Sequence, residues 1–155
     1  MQKNKFIFFG TPDISQKTLE ILKQNGYLPS LIITNPDKPQ GRKLALTPSL
    51  VKTWAIQNNI PFLQPEKITE DFIDSLPEVD LNIVIAYGKI LPEKLINKPK
   101  LGSINIHYSL LPKYRGASPM EESLLRGEEY TGISIQQMVY KMDAGPILYL
   151  SLIHI

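Results

Sequence analysis

A chain of 155 residues, 43% of them hydrophobic and with a net charge of +2, is long enough for one domain that buries about two-thirds of its unfolded surface. With no cysteine it has no disulfide, thiolate metal site or cysteine nucleophile, which accords with a cytoplasmic setting. The apolar run Phe6-Ile7-Phe8-Phe9 is too short for a secretory h-region and no run reaches bilayer length, while the small positive charge singles out no partner.

Apolar runs of strand length alternate with helix-period segments, and there is no internal repeat. That pattern argues for βαβ units, hence an α/β fold: an open, mainly parallel twisted sheet with helices on both faces. Strands are expected over 5–9, 28–34, 60–63, 81–86, 103–107 and 131–139, with another from 146 onward. The first helix is expected to start at Thr11 as N-cap, with Pro12 at the first helical position. The same Thr-Pro device recurs at Thr47-Pro48 before a helix over 49–57. Ser118-Pro119-Met120-Glu121 reads as a capping box with proline at N1, and Gly127 as that helix's stop. Two long loops remain. One, over 35–43, carries Lys38, Arg42 and Lys43 against a single acid, Asp37, and is expected to be exposed and mobile. The other runs over 108–117.

The chemistry concentrates at the end of the strand over 103–107. Side chains alternate along a strand, so Ile104 and Ile106 share one face while Asn105 and His107 project together from the other. Ligands of open parallel sheets sit outside the carboxyl ends of the strands, where this pair lies. An amide can donate to developing negative charge, and an imidazole can exchange a proton near neutral pH. Asp143, in the turn Met142-Asp143-Ala144-Gly145-Pro146, is the acid that could orient the imidazole. A satisfied core histidine and an ordinary turn aspartate would leave the same trace in the sequence. No elbow motif places a serine or cysteine nucleophile, which argues for direct transfer. Gly10-Thr11-Pro12 either receives an anion on a helix N-terminus or is only a turn; it is no G-x-G-x-x-G, and a dinucleotide role is disfavoured. Tyr87-Gly88 follows an apolar strand at its carboxyl end, where glycine lets backbone approach a flat ligand, or makes a plain turn. Lys38, Arg42 and Lys43 either track phosphates or form a solvated basic loop.

Taken together, these residues resemble the formyltransferase family. The shared signature is Asn105-Ile106-His107, Ser109-Leu110-Leu111-Pro112 and the later Asp143 before Gly145. Within the family the chain is similar to the members that formylate methionyl-tRNA. That likeness rests on Phe9-Gly10-Thr11-Pro12-Asp13, Asn35-Pro36-Asp37-Lys38-Pro39 with Gly41-Arg42-Lys43, Ile85-Ala86-Tyr87-Gly88 with Leu91-Pro92, and Tyr114-Arg115-Gly116-Ala117-Ser118-Pro119. The resemblance implies a Rossmann-like formyltransferase fold. It implies attack by the amine of initiator methionyl-tRNA on the formyl carbon of 10-formyltetrahydrofolate, through a tetrahedral intermediate and without a metal. Asn105, His107 and Asp143 would be catalytic; Ser109, Leu110, Leu111, Pro112, Tyr87 and Gly88 would contact the folate; and Lys38, Arg42 and Lys43 would contact tRNA. Alternatives are formylation of a small amine, such as glycinamide ribonucleotide or an amino sugar nucleotide, or an inactive folate- or RNA-binding fragment. The reading also expects a monomer with no membrane contact, and a catalytic domain over 1–150 that is incomplete at its C-terminal end. Residues 151–155 are expected to be a non-family tail, with the tRNA-holding β-barrel domain absent.

Overall fold

Alternation in the first strand decides which layer each helix joins. In the computed structural model, which describes residues 4–40 and 45–155, β1 (Phe6–Gly10) buries every side chain because the sheet is covered on both faces. Ile7 and Phe9 point to one side with Leu31, Ile33 and Val84; there they meet Ile73 of α3 (Glu70–Ser75) and Leu95 and Ile96 of α4 (Glu93–Asn97). Phe6 and Phe8 point to the other with Ile32 and Ile85, against Leu19 of α1 (Asp13–Gln24) and Val51, Trp54 and Ala55 of α2 (Leu50–Gln57). Phe8 and Phe9 are wholly buried, each contributing about 2 to 3 kcal/mol of transfer free energy.

The remaining strands are β2 (Leu31–Ile33), β3 (Lys38–Gln40), β4 (Ala45–Thr47), β5 (Phe62–Leu63), β6 (Leu81–Ile85), β7 (Ser103–His107), β8 (Tyr130–Gln137) and β9 (Ile147–His154). A seven-stranded sheet runs β5-β2-β1-β6-β7-β8-β9. It is parallel from β5 to β7 and antiparallel at β8 and β9. The expected α/β fold is therefore the observed one. From β1 the chain builds outward to β2 and β5, then returns to β6 on β1's other side, so a crevice opens at the carboxyl ends of β1 and β6. A buried polar tie fixes α4 to this part of the sheet. Asn82 Nδ2 donates to Leu95 O (3.2 Å) and Ser103 Oγ (3.1 Å), and Ser103 Oγ donates to Ile96 O (2.7 Å).

The structure changes several local expectations. Pro12, not Thr11, occupies the N-cap of α1 and makes no side-chain cap bond. Thr11 Oγ1 is used elsewhere, accepting from Asn35 N at 3.2 Å and so holding the end of β2. Ser49, not Thr47, caps α2, accepting from Lys52 N at 3.1 Å, because Thr47 is committed to β4. The described part of the segment over 35–43, residues 35–40, is more than an exposed loop, since Lys38–Gln40 pairs antiparallel with Ala45–Thr47. Asp37 is tied down there, accepting from Gln64 Nε2 (2.8 Å) and pairing with Lys52 Nζ (2.5 Å). Its carboxyl is held below its ordinary value by Gln64 first and Lys52 second. Arg42 and Lys43 lie outside the described residues. Ser118 does cap α5 (Pro119–Leu125) with proline at the helix start, but without a side-chain cap bond. Gly127, at φ +64°, follows its C-cap. Strand β9 continues across residue 151, where Ser151 faces Ile133 of β8.

Candidate active site

Parallel pairing with β6 holds β7 as far as Asn105, and antiparallel pairing with β8 carries it on to His107 at its carboxyl end. Asn105 and His107 leave that end on one face, and a cavity of about 730 Å³ opens over them. Asp143 arrives from the turn after β8 at φ +47°, a left-handed conformation that aspartate tolerates better than most residues. Gly145 makes that turn possible: a Cβ there would lie 1.7 Å from Gln137 O.

The three residues named from the sequence converge. Asp143 Oδ1 lies 3.4 Å from Asn105 Nδ2 and 3.7 Å from His107 Nδ1. Its two oxygens are held by groups not among the expected site residues: Gln136 Nε2 donates to Oδ1 at 2.8 Å, and Gly116 N donates to Oδ2 at 2.9 Å. Arg115 Nε adds a bond to the Asp143 carbonyl at 2.9 Å. His107 is 5% exposed, and its Nε2 meets Tyr114 O at 2.8 Å. A carbonyl can only accept, so Nε2 carries the hydrogen in the neutral ring. Nδ1, facing Asp143, is then the nitrogen left to take up a proton. The ring is thus presented in one tautomer, beside a carboxylate that would hold the resulting imidazolium and an amide with a donor to offer.

One loop orients both members of the pair. Tyr114 (φ +55°) supplies the carbonyl to His107, and Gly116 (φ +105°) supplies its N–H to Asp143. Glu128 anchors this loop through Lys113 Nζ, at 2.9 and 3.0 Å, and through the Tyr114 hydroxyl. The Tyr114 hydroxyl, and secondarily Lys113, lower the Glu128 carboxyl from its ordinary value.

Other sequence candidates divide. Tyr87 and Gly88 line the cavity, with Tyr87 also packed edge-on against Phe9 at 5.6 Å. Burial pushes its phenol up to about 12, and its hydroxyl has no hydrogen-bond partner. Ser109, Leu110, Leu111 and Pro112 are not on the cavity wall but brace the loop behind it. Ser109 Oγ donates to Lys113 O (2.6 Å), Ser134 Oγ donates to Ser109 O (2.6 Å), and Leu111 N donates to Ser134 Oγ (3.0 Å). The Leu111-Pro112 peptide is cis. Lys38 is exposed on β3. Its charge is felt at Lys89, a cavity-lining residue whose ammonium is lowered chiefly by burial and next by Lys38. Met138, Met142, Val139 and Ile90 give the cavity apolar walls that the sequence reading missed. Among the described residues no three His, Cys, Asp or Glu cluster to hold a metal ion, and no helix is long and apolar enough to cross a membrane.

Comparison with known proteins gives this geometry a family. The chain is 49% identical over 149 residues to a methionyl-tRNA formyltransferase of Enterococcus faecalis, covering 93% of this chain and 47% of that protein. It is 47% identical over 147 residues to one of Thermotoga maritima, covering 92% and 47%. The chain thus spans about half the length of the curated relatives it matches. Among solved structures it resembles a phosphoribosylglycinamide formyltransferase of Anaplasma phagocytophilum, with TM-score 0.78 and 21% identity over 99% of this chain and 74% of that one. At that identity the likeness speaks to the fold. The sequence profile described as formyl transferase matches residues 3–155, so the chain belongs to the formyl transferase family.

Proposed function

We propose that this chain carries the reaction centre of an enzyme that moves a formyl group from 10-formyltetrahydrofolate to the amine of initiator methionyl-tRNA. The observation that carries this is the convergence of Asn105, His107 and Asp143 on the wall of a cavity, in a chain 49% identical to methionyl-tRNA formyltransferases. Amine nitrogen attacks the formyl carbon, and the bond from that carbon to the carrier nitrogen breaks. Asn105 Nδ2 donates to the oxygen that becomes negative. His107 Nδ1 receives the proton leaving the amine and returns it to the departing nitrogen, while Asp143 holds the charged ring. The apolar walls and the Tyr87-Gly88 turn accommodate the flat donor. Lys38, Arg42 and Lys43 track tRNA phosphates.

The test offers a donor labelled in its formyl group to charged initiator tRNA and to glycinamide ribonucleotide in parallel. Label on methionyl-tRNA, lowered ~10²-fold or more by His107→Ala with folate binding retained, is the expected result. Label on the ribonucleotide alone would overturn the substrate, and unchanged turnover in His107→Ala would overturn the mechanism. Neutralising Lys38, Arg42 and Lys43 should flatten the salt dependence of tRNA binding, and an unchanged slope would remove them from the interface.

A further inference from the structure

Gln136 is 2% exposed, and its Cα lies opposite that of Asn105 across the β7–β8 ladder. Its Nε2 is committed to Asp143 Oδ1 at 2.8 Å. A carboxylate only accepts, so this bond fixes which end of the amide faces the acid. The other end is stranded, because Oε1 is buried and has no hydrogen-bond partner. A buried carbonyl left unsatisfied works against folding. The ladder does not need an amide here, since β8 pairs with β7 through backbone groups alone. A methionine would fill a similar volume without the stranded oxygen.

We infer that Gln136 is a positioning residue, kept at a cost to the fold because it holds the Asp143 carboxylate in register with Asn105 and His107. Without it Oδ1 keeps only the longer approaches of Asn105 Nδ2 at 3.4 Å and His107 Nδ1 at 3.7 Å, while Oδ2 stays on Gly116 N. The carboxylate can then turn about its own bonds, and the geometry that presents it to His107 Nδ1 is lost. This inference rests on the reading of Asn105, His107 and Asp143 as the reacting set.

The experiment compares Gln136→Met and Gln136→Glu with the parent chain in three measurements. Gln136→Met is expected to unfold at the same or a higher temperature, yet to lose formyl transfer by about tenfold or more in kcat with the donor KM little changed. Gln136→Glu puts an acceptor where the donor stood, so it should lose more near neutral pH. Relative to the parent it should recover as pH falls and the new carboxyl becomes a donor. Independently of turnover, the Gln136 side-chain amide resonance should move in Asp143→Ala. If Gln136→Met unfolds at a lower temperature and loses kcat and donor binding together, the residue is structural and the inference falls. An amide resonance unmoved by Asp143→Ala also overturns it. Should the parent chain transfer no formyl group while that resonance does move, the enzymatic reading fails and the hold of Gln136 on Asp143 stands.

Discussion

Lys113 donates to both carboxylate oxygens of Glu128, and this surface contact reaches the buried pair through the loop that follows. The next residue, Tyr114, also binds Glu128 with its hydroxyl and gives its carbonyl to His107. Two residues on, Gly116 holds Asp143. Because Glu128 is lowered from its ordinary value of 4.5, its hold is complete above that pH and is lost as pH falls through the depressed value. Glu128→Ala is therefore expected to loosen the loop at all pH values, and acid to do the same in the parent. Faster amide hydrogen exchange at Gly116 and a several-fold fall in formyl transfer, with little change in unfolding temperature, would be the signs. An unchanged Gly116 exchange rate in Glu128→Ala would show that the loop does not depend on this anchor.

Gly145 sits where only a hydrogen fits, with Gln137 O 1.7 Å from the position of a Cβ. That oxygen is backbone, so the turn would have to give way. Gly145→Ala is expected to cost about 1 to 3 kcal/mol in denaturant unfolding. It should also lower formyl transfer about 10²-fold, by drawing Asp143 off Gln136 and Asn105. An alanine variant of near-parental activity would mean that the turn tolerates displacement without moving the acid.

Burial raises the Tyr87 phenol from 10.0 to about 12, and its hydroxyl has no partner. The sign follows from linkage: the unfolded phenol ionises near 10 while the folded one stays neutral. Stability present below 10 is thus lost as pH rises toward 12. Tyr87→Phe is expected to match or exceed the parent's stability at neutral pH and to decline less between these two values. Unfolding curves taken across that range for both proteins check this, and parallel declines would refute it.

The last strand is uncharged from Ile147 to Ile153, and its apolar side chains are exposed, Leu148 at 56%, Tyr149 at 62% and Leu152 at 65%. Such an edge shows that hydrophobic patterning reports strand formation, not which surfaces end up covered. The same limit applies to the polar face of β8. Ile133 and Ile135 alternate with Ser134 and Gln136, so a local reading sends the polar pair to solvent. In the fold Ser134 and Gln136 are buried, because the segment after β7 meets Ser134 through Ser109 O and Leu111 N and the turn after β8 brings Asp143 onto Gln136.

By itself, the sequence determined what short-range chemistry can encode. Apolar runs set the strands of the seven-stranded sheet, proline and glycine placed the starts and stops within a few residues, and period-two alternation put Asn105 and His107 on one face of one strand. The order β5-β2-β1-β6-β7-β8-β9 was decided only by the tertiary structure, as were the closure of Asp143 onto His107 across 36 residues of chain and the tautomer imposed by the Tyr114 carbonyl. Each of those depends on which backbone groups are left over once the sheet and helices have paired their own. That accounting is complete only when the whole chain has folded.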